Sequence, residues 1–351
     1  MSRSVEILYE SCFGKAASSV VALRAHGSNR KLYRISDEKT TMIGVENEDR
    51  AENQAFLVFS RHFRKAGLSV PEIYGVGEDG TTYLEEDLGD QTLFDLLSSG
   101  RSVDGEIGEE VKSVYEKAVQ QLSRFQISAG RSLDYSVCYP RHSFDRQSMM
   151  WDLNYFKYYF LKLANIPFNE QKLEDDFDIL TGFLLEAEDG FFLYRDFQSR
   201  NIMVKDGEPW FIDYQGGRRG ALQYDVASLL YDSKANLSEN FRNHLLDVYL
   251  DSMPKEVSGD REKFLKYFQG FVLIRIIQAM GAYGFRGFYE RKAHFLQSVP
   301  YAIQNLENLL GSMQLPVEIP VLTEALQLIV RSTKLREIAS VALPLKVEIM
   351  S

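Results

Sequence analysis

The chain has 351 residues, 45% hydrophobic and 13% aromatic, which supports a large core and excludes a disordered chain. Forty basic against fifty acidic residues give a net charge of −10, which argues against nucleic-acid and anionic-membrane partners. Two cysteines, Cys12 and Cys138, exclude a disulfide framework and point to a cytoplasmic, reducing setting. The five histidines are scattered without zinc spacing, and the N-terminus lacks the long apolar run of a signal peptide. The most apolar stretch, 270–289, contains Arg275 and Arg286 and reads as a buried helix, not a membrane span. In chain order, 20–23 is a short apolar run ending at His26-Gly27-Ser28-Asn29, and 31–36 and 40–45 are two further strands. A helix follows over 48–66, with Ala51, Ala55, Phe56, Phe59 and Phe63 on one face, Gly67 as its stop and Pro71 just beyond. Strands at 70–76 and 82–88 flank the turn Glu78-Asp79-Gly80.

After Gly89 the pattern turns helical. Val111, Val114, Tyr115, Ala118, Val119, Leu122 and Phe125 recur at helical spacing, and further helices are expected at 147–163, 170–187, 238–252, 258–284 and 287–312. Short strands at 191–194, 202–204 and 210–212 interrupt them. The order predicts an α+β chain with a small mixed lobe over 1–88 and a larger helical lobe over 89–312. The tail 313–351 reads as a linker, a short helix at 321–332 and a terminal strand in which Leu345, Val347 and Ile349 alternate with Lys346 and Glu348. A lone strand needs a partner edge, so the expectation is the start of a further domain, with pairing back onto this one as the alternative.

The strand island carries the chemistry. Asp196 and Asn201 stand five positions apart on a loop between short apolar strands, and Asp213 ends the next strand twelve residues later. Strand, Asp206-Gly207 turn and strand read as a hairpin that brings Asn201 beside Asp213. An amide oxygen and a carboxylate form a hard-oxygen pair suited to Mg²⁺ held by nucleotide phosphates. Asp196 then stands near enough to accept a proton from an attacking hydroxyl.

The spacing D-x-x-x-x-N followed by a second Asp resembles the kinase superfamily motif. Arg195-Asp196-Phe197-Gln198-Ser199-Arg200-Asn201, Ile212-Asp213-Tyr214-Gln215 and Tyr224-Asp225-Val226-Ala227-Ser228-Leu229-Leu230 resemble the aminoglycoside phosphotransferase/choline kinase-like family. Within it they look most like the bacterial branch of N-acetylmuramate/N-acetylglucosamine anomeric sugar kinases. The resemblance spans about 20–310, and its specific part is 193–230. It implies a two-lobed protein-kinase-like fold and transfer of the γ-phosphoryl group of ATP, with Mg²⁺, to a hydroxyl of a small molecule, a sugar above all. It implies Asp196 as the catalytic carboxylate, Asn201 and Asp213 as metal ligands and Asp225 as a brace of the catalytic loop. Gly27, Ser28, Asn29 and Arg30 fall in the phosphate-covering turn, where backbone N–H groups form an anion nest. Glu86 and Leu88 fall in the hinge that holds adenine through backbone atoms.

Three positions depart from the family pattern. Tyr194 stands where His is common, Gln198 where this branch often has His, and the third strand, 41–46, has no lysine for the α/β phosphates. Arg30, Lys31 and Arg34 are the candidates to supply that charge. Asp145, Arg146 and Asp152, with the aromatic run 151–160, are acceptor-side candidates; their plain reading is a helix start and packed core. The plain reading of Asp225 is a helix cap, and that of the Gly27–Asn29 turn an ordinary hairpin. Two alternatives stay open: another acceptor, such as an aminoglycoside or choline, and a nucleotide-sensing module without turnover.

Overall fold

The computed structural model describes residues 3–23, 30–37, 40–102, 104–258 and 261–338. The terminal strand expected near 345–349 lies outside the described residues. The chain opens with α1 (Arg3–Phe13), then β1 (Ser19–Ala22), β2 (Lys31–Ser36), β3 (Thr41–Glu46), α2 (Arg50–Lys65), β4 (Ile73–Val76) and β5 (Thr82–Glu86). α3 (Leu93–Ser99), α4 (Glu109–Ser123), α5 (Arg146–Phe156) and α6 (Glu170–Leu184) follow. The strand island is β6 (Phe191–Leu193), β7 (Ile202–Lys205), β8 (Glu208–Phe211) and β9 (Arg218–Gly220). The remainder is helical: α7 (Gln223–Leu230), α8 (Glu239–Asp251), α9 (Lys255–Ser258), α10 (Arg261–Tyr283), α11 (Ala293–Leu296), α12 (Val299–Ser312), α13 (Pro320–Arg331) and α14 (Thr333–Arg336). Among the described residues no helix is long and apolar enough to cross a membrane.

Two compact units divide the chain, and neither is continuous in sequence. The first joins 1–142 with 191–219 and 245–253; the second joins 143–190, 220–244 and 254–351. In the first, five antiparallel strands form a sheet of order β1-β2-β3-β5-β4. Alternation along the strands sends Ile35, Met42 and Leu84 to one face, where Val5, Leu8 and Tyr9 of α1 cover them. Position 44 must be Gly, because a Cβ there would sit 2.3 Å from Val5 Cγ1. Helix α2 starts where Asp49 accepts the N–H groups of Ala51 and Glu52. Of its expected apolar face, Ala55, Phe56, Phe59 and Phe63 are buried, whereas Ala51, in the first turn, is exposed. Phe56 stacks between Tyr83 and Tyr214, at 5.2 and 5.1 Å between ring centres. Phe63 meets Phe125 and Phe192 at 4.8 and 5.1 Å. This aromatic core joins α2 to the strand island and anchors the island's loops.

In the second unit, α5 stops at Phe156 and passes into a π-helical turn, Lys157–Leu161, where an unbroken helix to 163 was expected. The helix expected over 287–312 is split in the same way, with a π-helical turn at Gly284–Tyr289 and α12 beginning only at Val299. The two π-helical turns lie close together: a Cβ on Gly284 would lie 2.1 Å from the Tyr159 carbonyl oxygen. Helix α3 was not expected from periodicity. A capping box marks it, Thr92 accepting from Asp95 N–H while the Asp95 carboxylate accepts from Thr92 N–H.

Candidate active site

The β7–β8 hairpin forms around Asp206-Gly207, whose φ angles of 54° and 74° suit the tight turn that two-residue hairpins favour. Its register pairs Ile202 with Phe211 and Lys205 with Glu208. The ladder extends one step further, since Ile212 N–H donates to the Asn201 carbonyl at 3.1 Å. Asp213 is therefore the next residue past the partner of Asn201. The Asn201 side-chain amide donates to the Asp196 carbonyl at 2.9 Å and to Asp213 Oδ2 at 3.3 Å. One amide thus ties together the loops that carry both carboxylates. Asp196, Asn201 and Asp213 are each half-buried.

Both loops hold backbone conformations that side chains resist. Arg195 has φ 82° and Asp213 φ 68°. Such positions cost of order 1–3 kcal/mol each and persist only where surrounding structure enforces them. Tyr194 lies between them. It is fully buried, its ring packs on Phe125 and Phe197, and its hydroxyl donates to the Ile212 carbonyl at 2.6 Å. The residue that departs from the common His therefore makes a direct strut between the Asp196 loop and the Asp213 loop. Tyr214, also fully buried, shares a 2.6 Å hydrogen bond with Ser60 of α2. Gln215 donates to Asp213 Oδ1 at 3.0 Å and to Glu52 at 3.3 Å. Gln198, the second departure, reaches Asp196 Oδ1 at 3.5 Å, a marginal contact.

Arg30 joins this cluster, which spacing alone did not indicate: its guanidinium donates to Asp213 Oδ1 across 183 residues of chain. Burial pushes the Glu85 carboxyl up to about 8, with Arg30 pulling it back and Asp213 adding to the rise. Glu85 as a residue is half-buried, yet its Oε2 is enclosed and has no hydrogen-bond partner. Among the described residues no three His, Cys, Asp or Glu side chains converge as a metal cage. The donors present, one amide oxygen and one carboxylate, fit a divalent cation that takes its remaining ligands from phosphates and water. The hinge candidates lie at the end of β5 and just past it. Glu86 N–H donates to the Glu72 carbonyl at 2.9 Å, its carboxylate binds Lys205 at 2.8 Å, and Leu88 is buried.

A phosphotransferase enzyme family model matches residues 19–261. The chain belongs to that family. It is similar to an N-acetylmuramate/N-acetylglucosamine kinase of Neisseria meningitidis, 23% identical over 242 residues, covering 66% of this chain and 68% of the relative. A protein of the same name from Pseudomonas aeruginosa is 24% identical over 221 residues, 62% of this chain and 60% of the relative. Among solved structures, an ethanolamine kinase of Plasmodium vivax superposes with TM-score 0.57 at 15% identity, covering 87% of this chain and 86% of that one. An amicoumacin kinase in complex with AMP-PNP, Ca²⁺ and Ami gives TM-score 0.57 at 13% identity, over 87% and 92% of the two chains. The kinase-like fold stands with these neighbours, and the family makes this protein an ATP-dependent, small-molecule phosphotransferase.

The other sequence candidates fall elsewhere in this phosphotransferase. Gly27, Ser28 and Asn29 lie outside the described residues. Asp225 is fully buried within the first turn of α7, three residues past the Leu222 cap position, so it does not cap that helix. In the second unit, Asp145 caps α5 by accepting the Ser148 N–H at 3.0 Å. Arg146 binds Asp178 at 3.1 Å and Thr181 at 2.8 Å. Asp152 is buried, while Trp151 and Tyr158 of the aromatic run are exposed and Leu153, Phe156 and Phe160 are core.

Proposed function

We propose that this kinase transfers the ATP γ-phosphoryl group to a hydroxyl of an amino sugar such as N-acetylmuramate or N-acetylglucosamine. The observation that carries the phosphoryl-transfer part is the Asn201 amide bonded to both the Asp196 loop and Asp213. The names of the two relatives support the sugar part. In this reading Asp196 orients the acceptor hydroxyl and takes its proton as the oxygen bonds to the γ-phosphorus. The bond from that phosphorus to the bridging oxygen breaks, and ADP leaves with the electron pair. Asn201 and Asp213 would hold Mg²⁺, which when bound neutralises charge on the phosphates. Leu88 and the Glu86 backbone would edge the adenine, and the Gly27–Arg30 turn the phosphates. Asp145, Arg146 and Asp152 would be the acceptor-side residues of the second unit. A free anomeric hydroxyl is more acidic than an ordinary alcohol, so such an acceptor asks less of Asp196.

The test is ADP release and phosphorus NMR of products from the chain incubated with MgATP and a panel of acceptors. N-acetylmuramate or N-acetylglucosamine should yield a sugar phosphate. Turnover on choline, ethanolamine or an aminoglycoside in place of the sugars would overturn the substrate assignment. A second reading, nucleotide sensing without turnover, draws on the absence of lysine from β3. It requires MgADP binding and no product from any acceptor.

A further inference from the structure

The phosphates of ATP are multiply anionic, and a kinase site needs a fixed cation beside them. β3 carries none. Met42 and Gly44 face α1, so Ile43 and Val45 alternate to the opposite face. On β5, Glu85 pairs with Ile43 and Tyr83 with Val45, which puts a carboxylate and a phenol on that same face. Of the three cations at β2, two are otherwise occupied. Lys31 is 68% exposed and pairs with Glu46, and Arg34 is clamped by Asp87 and Asp90 at 2.7 and 2.8 Å.

Arg30, one residue before β2, differs. Its side chain is 16% exposed and its guanidinium lies on Asp213. It also feels the fields of Tyr83 and Glu52. Glu85 Oε2 stands in the same field, enclosed and without a hydrogen-bond partner. A guanidinium on the carboxylate that would hold the cation lies where nucleotide phosphates must come. An arginine can switch between two anions at little cost, because its planar fork stays charged throughout.

Building on the kinase reading above, we infer that Arg30 supplies the phosphate-binding charge that the third strand does not carry. Its contact with Asp213 is the resting position, which it leaves for the phosphates when a divalent cation takes that carboxylate. Arg30 therefore opposes binding of the cation alone and favours binding of the cation with nucleotide.

Calorimetry with MgADP and electron-spin titration with Mn²⁺ alone test this on the full chain, with circular dichroism to confirm folding. R30Q should weaken MgADP by about tenfold or more, as loss of a charge-assisted contact predicts. The same variant should bind Mn²⁺ alone severalfold more tightly. R30K, which keeps the charge, should stay within about fivefold of wild type for MgADP, and K31Q within about twofold. Unchanged MgADP affinity in folded R30Q, a tenfold loss in R30K, or the loss appearing in K31Q would overturn the inference and leave the kinase reading intact. Wild type that binds no MgADP would overturn both. A wild-type structure with MgADP checks the same point without a variant: the guanidinium should bond a phosphate oxygen, and finding it still on Asp213 would refute the switch.

Discussion

The Tyr194 hydroxyl donates to the Ile212 carbonyl at 2.6 Å and so joins the loop bearing Asp196 to the loop bearing Asp213. Tyr194 is fully buried, and its ring is held by Phe125, Phe197 and Tyr214. Tyr194→Phe keeps the ring and removes only the strut, leaving a carbonyl unpaired. We expect a loss of about 1–2 kcal/mol in stability by denaturant titration. Turnover should fall more than nucleotide affinity, because what loosens is the relative position of two loops. Unchanged kcat would show that the aromatic packing alone positions them.

Asp196→Asn removes the proposed proton acceptor while keeping the side chain's size. Turnover should drop by roughly 10²–10⁴, the range that general-base groups supply. MgADP affinity should hold within a small factor, since Asp213 and Asn201 are intact. Near-normal turnover would remove Asp196 from the chemistry.

Asn201→Ala deletes the amide that bonds the Asp196 carbonyl and Asp213. Both a proposed metal ligand and a loop tie go at once. The concentration of Mg²⁺ giving half-maximal rate should rise about tenfold or more, the usual cost of losing a ligand or its support. A variant with an unchanged Mg²⁺ requirement would place the cation elsewhere.

Glu85 predicts a pH-dependent stability. Its carboxyl is raised from an ordinary 4.5 to about 8 in the folded chain, chiefly by burial. Between those values the folded state holds a proton that the unfolded state has released, so stability falls as pH rises through this window. Glu85→Gln removes that slope. It should melt above wild type at pH 8 by roughly 1–3 °C, and the gap should close toward pH 5. A gap that does not change with pH would show that Glu85 is ionised in the folded chain throughout.

The sequence by itself determined the local pieces. The strand at 31–36, most of the strand expected at 82–88, the α2 stripe apart from Ala51 and the Asp206-Gly207 hairpin were legible, because periodicity and turn chemistry act between near neighbours. The trio of Asp196, Asn201 and Asp213 was legible for the same reason, a hairpin register setting which two side chains meet. What only the tertiary structure decided are the partners brought in from far along the chain. Arg30 on Asp213, Phe56 between Tyr83 and Tyr214, and the Gly284 backbone against Tyr159 leave no spacing signal. They arise from packing of the whole chain, where burial of aromatic surface and the need to pair enclosed charges select contacts that no local pattern encodes.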